Sequence, residues 1–195
     1  MFRKLTRPEL LAIAILIAIA GITAWPTAEA QFGGGGFGGG FEVGFATGGI
    51  MIEPSQSGKS LYAYSEKSGS WDKLTAEPHP DDGLNAIQSA GMAALRGQRE
   101  IHAFGPDSGK WATVATNGNP SPVVVSTGVA ACVVGEQLYA FGSGSEVWAV
   151  ADLGEQADAT KLEVGATRVV YRTDTHVHVF SNASGKWASV ELTRD

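Results

Sequence analysis

A chain of 195 residues, 44% hydrophobic with 26 glycines and only 17% charged residues, is long enough for one domain with its own core and suits a turn-rich β protein better than a helical one. Its formal net charge of −6 argues against a nucleic acid or an anionic membrane as partner, because no basic surface is available to displace counterions. A single cysteine, Cys132, excludes an internal disulfide and a cysteine-rich metal site, and its setting in ACVV reads as a buried strand.

Residues 1–30 read as an export signal. Arg3, Lys4 and Arg7 give a positive start, LLAIAILIAIAGI (10–22) is an unbroken apolar helix, and Ala28-Glu29-Ala30 places small residues before Gln31. Cleavage is expected between Ala30 and Gln31. The apolar run falls short of the roughly 20 residues of a spanning helix; an uncleaved anchor is the alternative. QFGGGGFGGGF follows, and glycine at that density makes 31–40 a flexible spacer rather than a phosphate loop, which would need a strand before it and a helix after it.

From residue 41 onward one phrase occurs four times: LYAYSEKSGSWDKL from Leu61, IHAFGPDSGKWATV from Ile101, LYAFGSGSEVWAVA from Leu138 and VHVFSNASGKWASV from Val177. The copies start 40, 37 and 39 residues apart. In each, an aromatic residue precedes a tryptophan by seven positions: Tyr64 and Trp71, Phe104 and Trp111, Phe141 and Trp148, Phe180 and Trp187. A repeat of this length points to a propeller or another repeat array. Upstream of each phrase lie a strand-like run after a glycine and, before that, a shorter β-prone run: FEVGFA (41–46), LNAIQS (84–89), PVVVS (122–126) and TKLEV (160–164). Each unit therefore reads as four short strands joined by tight turns, with no sustained helical period. Pairing Gly105 with Lys110 leaves Pro106–Gly109 as the turn, puts Gly109 where positive φ is needed, and sets Phe104 opposite Trp111. GSGSEV in the third copy lacks the Ser-Gly dipeptide in register, so its turn is expected to differ. Both faces of the aromatic strand are apolar or aromatic, which predicts a strand sandwiched between two layers, as in a propeller.

At the Tyr-x-Phe strand, the Ser-Gly turn and the spaced tryptophan, the chain resembles kelch-type β-propeller repeats, and the quinoprotein-type repeat is similar too. The double glycine of a kelch blade is absent and kelch units are longer. The resemblance implies an all-β, small β-propeller-like array of four repeats of about 39 residues over 41–195. The four units would close as a four-bladed ring, or form half of an eight-bladed ring as a homodimer.

Three groups of residues invite chemistry. His79-Pro80-Asp81-Asp82 resembles the HPDD zinc motif of the LmbE-like de-N-acetylases, which implies His79 and Asp82 as metal ligands and Asp81 as base, although Gly83 replaces the usual glutamate. As plain sequence, EPHPDDG reads as an inter-blade loop of turn formers. His176 and His178 share one strand face at a spacing that suits a metal, and His178 also belongs to a repeat column with Tyr62, His102 and Tyr139. Asn182-Ala183-Ser184 fits the N-glycosylation pattern in a turn. No nucleophile elbow or paired-acid arrangement stands out, and no cofactor is called for. The function expected is an exported, non-enzymatic binding or scaffolding module of the cell envelope, meeting protein or glycan through its blade loops and touching membrane only through an uncleaved N-terminus. The alternative is an extracytoplasmic hydrolase acting on carbohydrate or an N-acetylated substrate.

Overall fold

The computed structural model describes residues 49–193. The export segment 1–30, the spacer 31–40 and the run 41–46 lie outside the described residues.

The described chain folds into four antiparallel sheets, each a meander in which neighbours in sequence are neighbours in space. Sheet I holds β1 (Ile50–Pro54), β2 (Leu61–Ser65) and β3 (Ser70–Leu74). Sheet II holds β4 (Ile87–Ser89), β5 (Met92–Arg96), β6 (Glu100–Gly105) and β7 (Lys110–Ala115). Sheet III holds β8 (Val124–Val125), β9 (Val129–Val134), β10 (Gln137–Gly142) and β11 (Trp148–Asp152). Sheet IV holds β12 (Glu163–Val164), β13 (Arg168–Arg172), β14 (His176–Ser181) and β15 (Lys186–Glu191). This is the all-β, blade-type architecture expected from the repeats.

The repeated phrase is a hairpin in every sheet. Tyr64 pairs with Trp71, Phe104 with Trp111, Phe141 with Trp148 and Phe180 with Trp187. Their ring centroids lie 5.2 to 5.6 Å apart in tilted contact, a geometry that adds about 0.5–1.5 kcal/mol beyond burial. Gly105 pairs with Lys110, and Gly109 takes φ 64°. The third turn keeps the same length without the glycine, and Glu146 adopts the left-handed conformation itself, at φ 52°.

The first strands are shorter than the sequence suggests. In 160–164, only Glu163 and Val164 pair; Ala159–Lys161 form a 3-10 turn instead. The cause is Asp158, whose Oδ1 accepts from the Thr160 amide at 2.9 Å and hydroxyl at 2.7 Å, which competes with strand pairing.

The sheets stack face to face in chain order. Between sheets I and II, Ile50 and Ala63 meet Ala93 and Phe104. Between II and III, Met92, Ala94, Ile101 and Ala103 meet Ala130, Cys132, Tyr139 and Phe141. Between III and IV, Val129, Ala131 and Ala140 meet Val169 and Phe180. At each junction the aromatic face of the later sheet sits on the aliphatic, alanine-rich face of the earlier one. Small residues opposite large rings let the layers interdigitate at crystal-like density.

Two-sided burial, expected of every aromatic strand, holds only in the middle of the stack. Strands β6 and β10 are buried on both faces along nearly their whole length. In β2, Leu61, Ala63 and Ser65 are buried while Tyr62 is 37% exposed, and Trp71 beside it is 51% exposed. In β14, His178 and Phe180 are buried, while Val177 and Val179 on the other face are only partly covered. Among the described residues, no apolar cluster joins sheet I to sheet IV. Among the described residues, the end sheets have one neighbour each, and that is why their outer faces stay open.

Candidate functional site

Hairpin connectivity puts the four aromatic turns at one end of the stack. There, Gly49, Glu66, Lys67, Gly91, Asp107 and Ser143 line part of an open cleft of about 680 Å³. The turns around it are braced to one another. Lys67 Nζ and Asp107 Oδ1 stand 2.5 Å apart, joining the turns of sheets I and II. Ser65 Oγ donates to the Pro106 carbonyl at 2.5 Å. Glu146 of sheet III accepts from the amides of Asp107 at 2.8 Å and Ser108 at 2.9 Å, filling the small anion nest of the second turn. Asn182 of sheet IV accepts from the Gly144 amide at 2.9 Å, so its side chain is committed to a neighbouring turn.

The left-handed Glu146 thus serves a contact that the glycine of the other turns does not make. Nothing in the sequence shows which distant amides Glu146 or Asn182 meets; the missing glycine in GSGSEV is the one signal that the third turn is special. The cleft is open, and glycines, Pro106 and the charged Glu66, Lys67 and Asp107 share its lining, a surface suited to docking another chain rather than to enclosing a small molecule.

The chemical candidates stand elsewhere. His79 and Asp82 lie in the loop from sheet I to sheet II, at the end opposite the cleft. His79 is 2% exposed; its Nε2 is 2.7 Å from Asn119 Oδ1, and its Nδ1 accepts from the Asp81 amide at 3.2 Å. Both ring nitrogens are therefore engaged within the protein. Asp82 accepts from Arg96 Nε at 2.5 Å, and Arg96 donates onward to the Pro120 carbonyl at 2.8 Å. The hydrogen bond from Arg96, aided by its charge, holds the Asp82 carboxyl below the ordinary 3.8. Arg96, Asn119 and Pro120 complete this brace, and none of them carries a local sequence signal for it. His79 and Asp82 come together as pins that tie two inter-sheet loops to β5.

His176 and His178 are brought together, with ring centroids 5.9 Å apart. His178 Nδ1 lies 2.7 Å from Ser189 Oγ, and His176 Nδ1 lies 2.9 Å from Thr175 Oγ1. Burial, then the neighbouring His176, lower the pKa of His178, with Glu155 opposing. Among the described residues, no group of three or more histidine, cysteine or acidic side chains converges at metal distance. His102 is 1% exposed, with Nδ1 2.9 Å from Thr113 Oγ1. Its Nε2 lies 3.3 Å from Glu100 Oε1 but out of line for a hydrogen bond, and so has no partner. Cys132 is buried and its thiol is pushed up to about 12, chiefly by desolvation, so it is inert as a nucleophile at neutral pH.

No protein-family model matches the chain. No curated protein matches it either. Among solved structures, it is similar to Hsv2 of Kluyveromyces marxianus at 10% identity, covering 76% of this chain and 68% of that one with a TM-score of 0.36. It is similar to a HIRA fragment at 15% identity, covering 73% and 49% at a TM-score of 0.40. Similarity to BamB of Moraxella catarrhalis is 16% identity over 75% and 50% at 0.30. All three are β-propeller proteins. The chain spans about half the length of the HIRA and BamB structures it matches.

Proposed function

We propose that this chain is an exported, non-enzymatic binding or scaffolding module of the cell envelope, built from degenerate kelch-type repeats, that meets a protein partner through the turn end of its sheets. The observation that carries the reading is the braced cleft: three turns locked by Lys67–Asp107, Ser65–Pro106 and Glu146 around an open surface. A surface whose loops are already fixed loses little conformational entropy on binding. Export rests on the 1–30 segment, with a mature N-terminus at Gln31. A glycan ligand is the alternative occupant of the same cleft.

The test is a photo-cross-linking residue placed singly at Glu66, Pro106 or Ser143 of the full chain in its own cells, with Gln98 at the opposite end as control. The expected result is one shared protein adduct from all three cleft positions and none from Gln98, on a chain whose intact mass begins at Gln31. Adducts equally frequent from Gln98, or none from the cleft, would overturn the binding assignment. A mass beginning at Met1 would replace the secreted form by an anchored one.

A further inference from the structure

The two outer faces of the stack are opposite in character. At every internal junction an aromatic face seats on an aliphatic one. Sheet I has its aliphatic face covered and its aromatic face open: Tyr62, Tyr64 and Trp71 point away from sheet II, with Trp71 51% exposed. Sheet IV has the opposite face open. Val170, Val177 and Val179 line a groove of about 600 Å³ rimmed by Arg168, Arg172 and Glu163, and Val190 beside it is 60% exposed. Among the described residues, an aromatic face without a seat and an aliphatic seat without an aromatic face occur on the same molecule.

We propose that the chain associates head to tail with a second copy, the aromatic face of sheet I in one copy seating on the aliphatic face of sheet IV in the next. The internal register specifies how. Trp148 Nε1 donates to the Ala112 carbonyl and Trp187 Nε1 to the Ala149 carbonyl, both at 3.1 Å. These two indoles thus reach the residue that follows the previous sheet's tryptophan; Trp111 is the exception, its indole nitrogen buried without a partner while its backbone amide donates to Asp72 Oδ2 at 2.9 Å. Carried across the new junction, this rule brings Trp71 of one copy to the Ala188 carbonyl of the other. Both open faces carry mixed charge: Glu53 and Lys73 stand on either side of Tyr62 on sheet I, and Arg172, paired in register with Val177 on sheet IV, is held by Glu163 at 2.5 Å. Val179 replaces the alanine found at 63, 103 and 140, so this seam is shallower than the internal ones and opens on dilution. A head-to-tail contact between two different faces is heterologous, closing as a ring of copies or extending as a row.

Sedimentation velocity of the full chain over about 1–100 µM reads the association directly. Wild type is expected to sediment as an assembly that dissociates on dilution. Trp71→Glu and Val190→Glu, both at exposed positions, are each expected to stop at the monomer with unchanged far-ultraviolet circular dichroism. Mixed one to one, they are expected to restore a two-copy species, because each retains the face the other lacks. Both variants keep the N-terminal segment, so association that survives either substitution comes from elsewhere and overturns the proposal. A wild-type monomer, closed on itself or completed by another protein, also overturns it. So does loss of association in Trp71→Glu alone, which means a head-to-head contact. Hydrogen exchange of wild type gives the same answer without variants: protection that grows with concentration in β2–β3 and β14–β15 but not in β6 supports the contact, and level protection refutes it.

Discussion

His102 shows how a histidine in a repeat column ties stability to pH. It stands in a column with Tyr62, Tyr139 and His178, and on its own strand the aromatic face fills the junction between sheets I and II. Desolvation lowers its pKa below the ordinary 6.5, while the Glu100 carboxylate opposes the shift. His178 is lowered too, first by burial and then by His176. In both, the folded protein favours the neutral ring, whereas the unfolded chain takes a proton as pH falls through 6.5. Stability from these groups is therefore fully present above 6.5 and declines as pH drops below it, at no more than about 1.4 kcal/mol per pH unit for each histidine. Asp82 acts in a separate window, because its contribution is present above 3.8 and is lost only at lower pH. The urea midpoint should fall between pH 7.5 and 5.5, and the slope should flatten in a His102→Gln, His178→Gln double variant. A level midpoint in wild type, or an undiminished slope in the double variant, would refute this account.

At the scale of the element, most of the hairpin was legible because its determinants are local. The phrase places an aromatic residue and a tryptophan seven apart around a turn, and that spacing alone sets Phe104 against Trp111 and Gly105 against Lys110. The turn of the third sheet shows where local reading ends: its length survives, yet Glu146 takes the left-handed position and spends its carboxylate on two amides 38 and 39 residues away. The 3-10 turn at Ala159–Lys161 was missed because a single capping aspartate outweighed the β propensity of its neighbours. His79 and Asp82 read as chemistry because the residues that engage them, Asn119 and Arg96, lie 40 and 14 positions off. One element-level constraint is steric. A Cβ on Gly91, at the entry to β5, would lie 2.4 Å from the Thr127 carbonyl of the next sheet, and one on Gly128 would lie 2.8 Å from the Ala166 carbonyl. These approaches to backbone cannot be relieved by turning a side chain. Gly91→Ala should therefore cost about 1–3 kcal/mol, as overpacking does. Gly135→Ala has open space but a positive φ of 58° and should cost about 1 kcal/mol. Chemical denaturation of the two variants checks the order, and an equal or reversed loss would remove the close approach as a determinant of sheet spacing.

For the whole molecule, the number and order of the sheets was readable from the repeat, but which faces would be covered was not. Burial of a face is a property of the neighbour in space, and the four copies carry nearly the same residues whether or not a neighbour exists. Phe104 and Phe141 are fully buried, while Tyr64, at the same position in the first copy, is only partly covered. A stack in which each sheet touches only the next behaves as a quasi-one-dimensional array, its stability a sum of sheets and junctions. The two middle sheets each contribute to two junctions, and the end sheets to one. Local opening should therefore begin at the ends. Hydrogen exchange of the dilute protein, below the concentration at which copies associate, should show β6, β9 and β10 protected to near the global unfolding free energy. Strand β15, with Ala188, Ser189, Val190 and Glu191 all exposed, should exchange fastest among the long strands. Sheet IV as a whole should open before sheet III, because its Phe180 and Trp187 are anchored from one side only. Uniform protection across all four sheets would mean that the stack unfolds as a single cooperative unit, its junctions too strong for the end sheets to part from the middle.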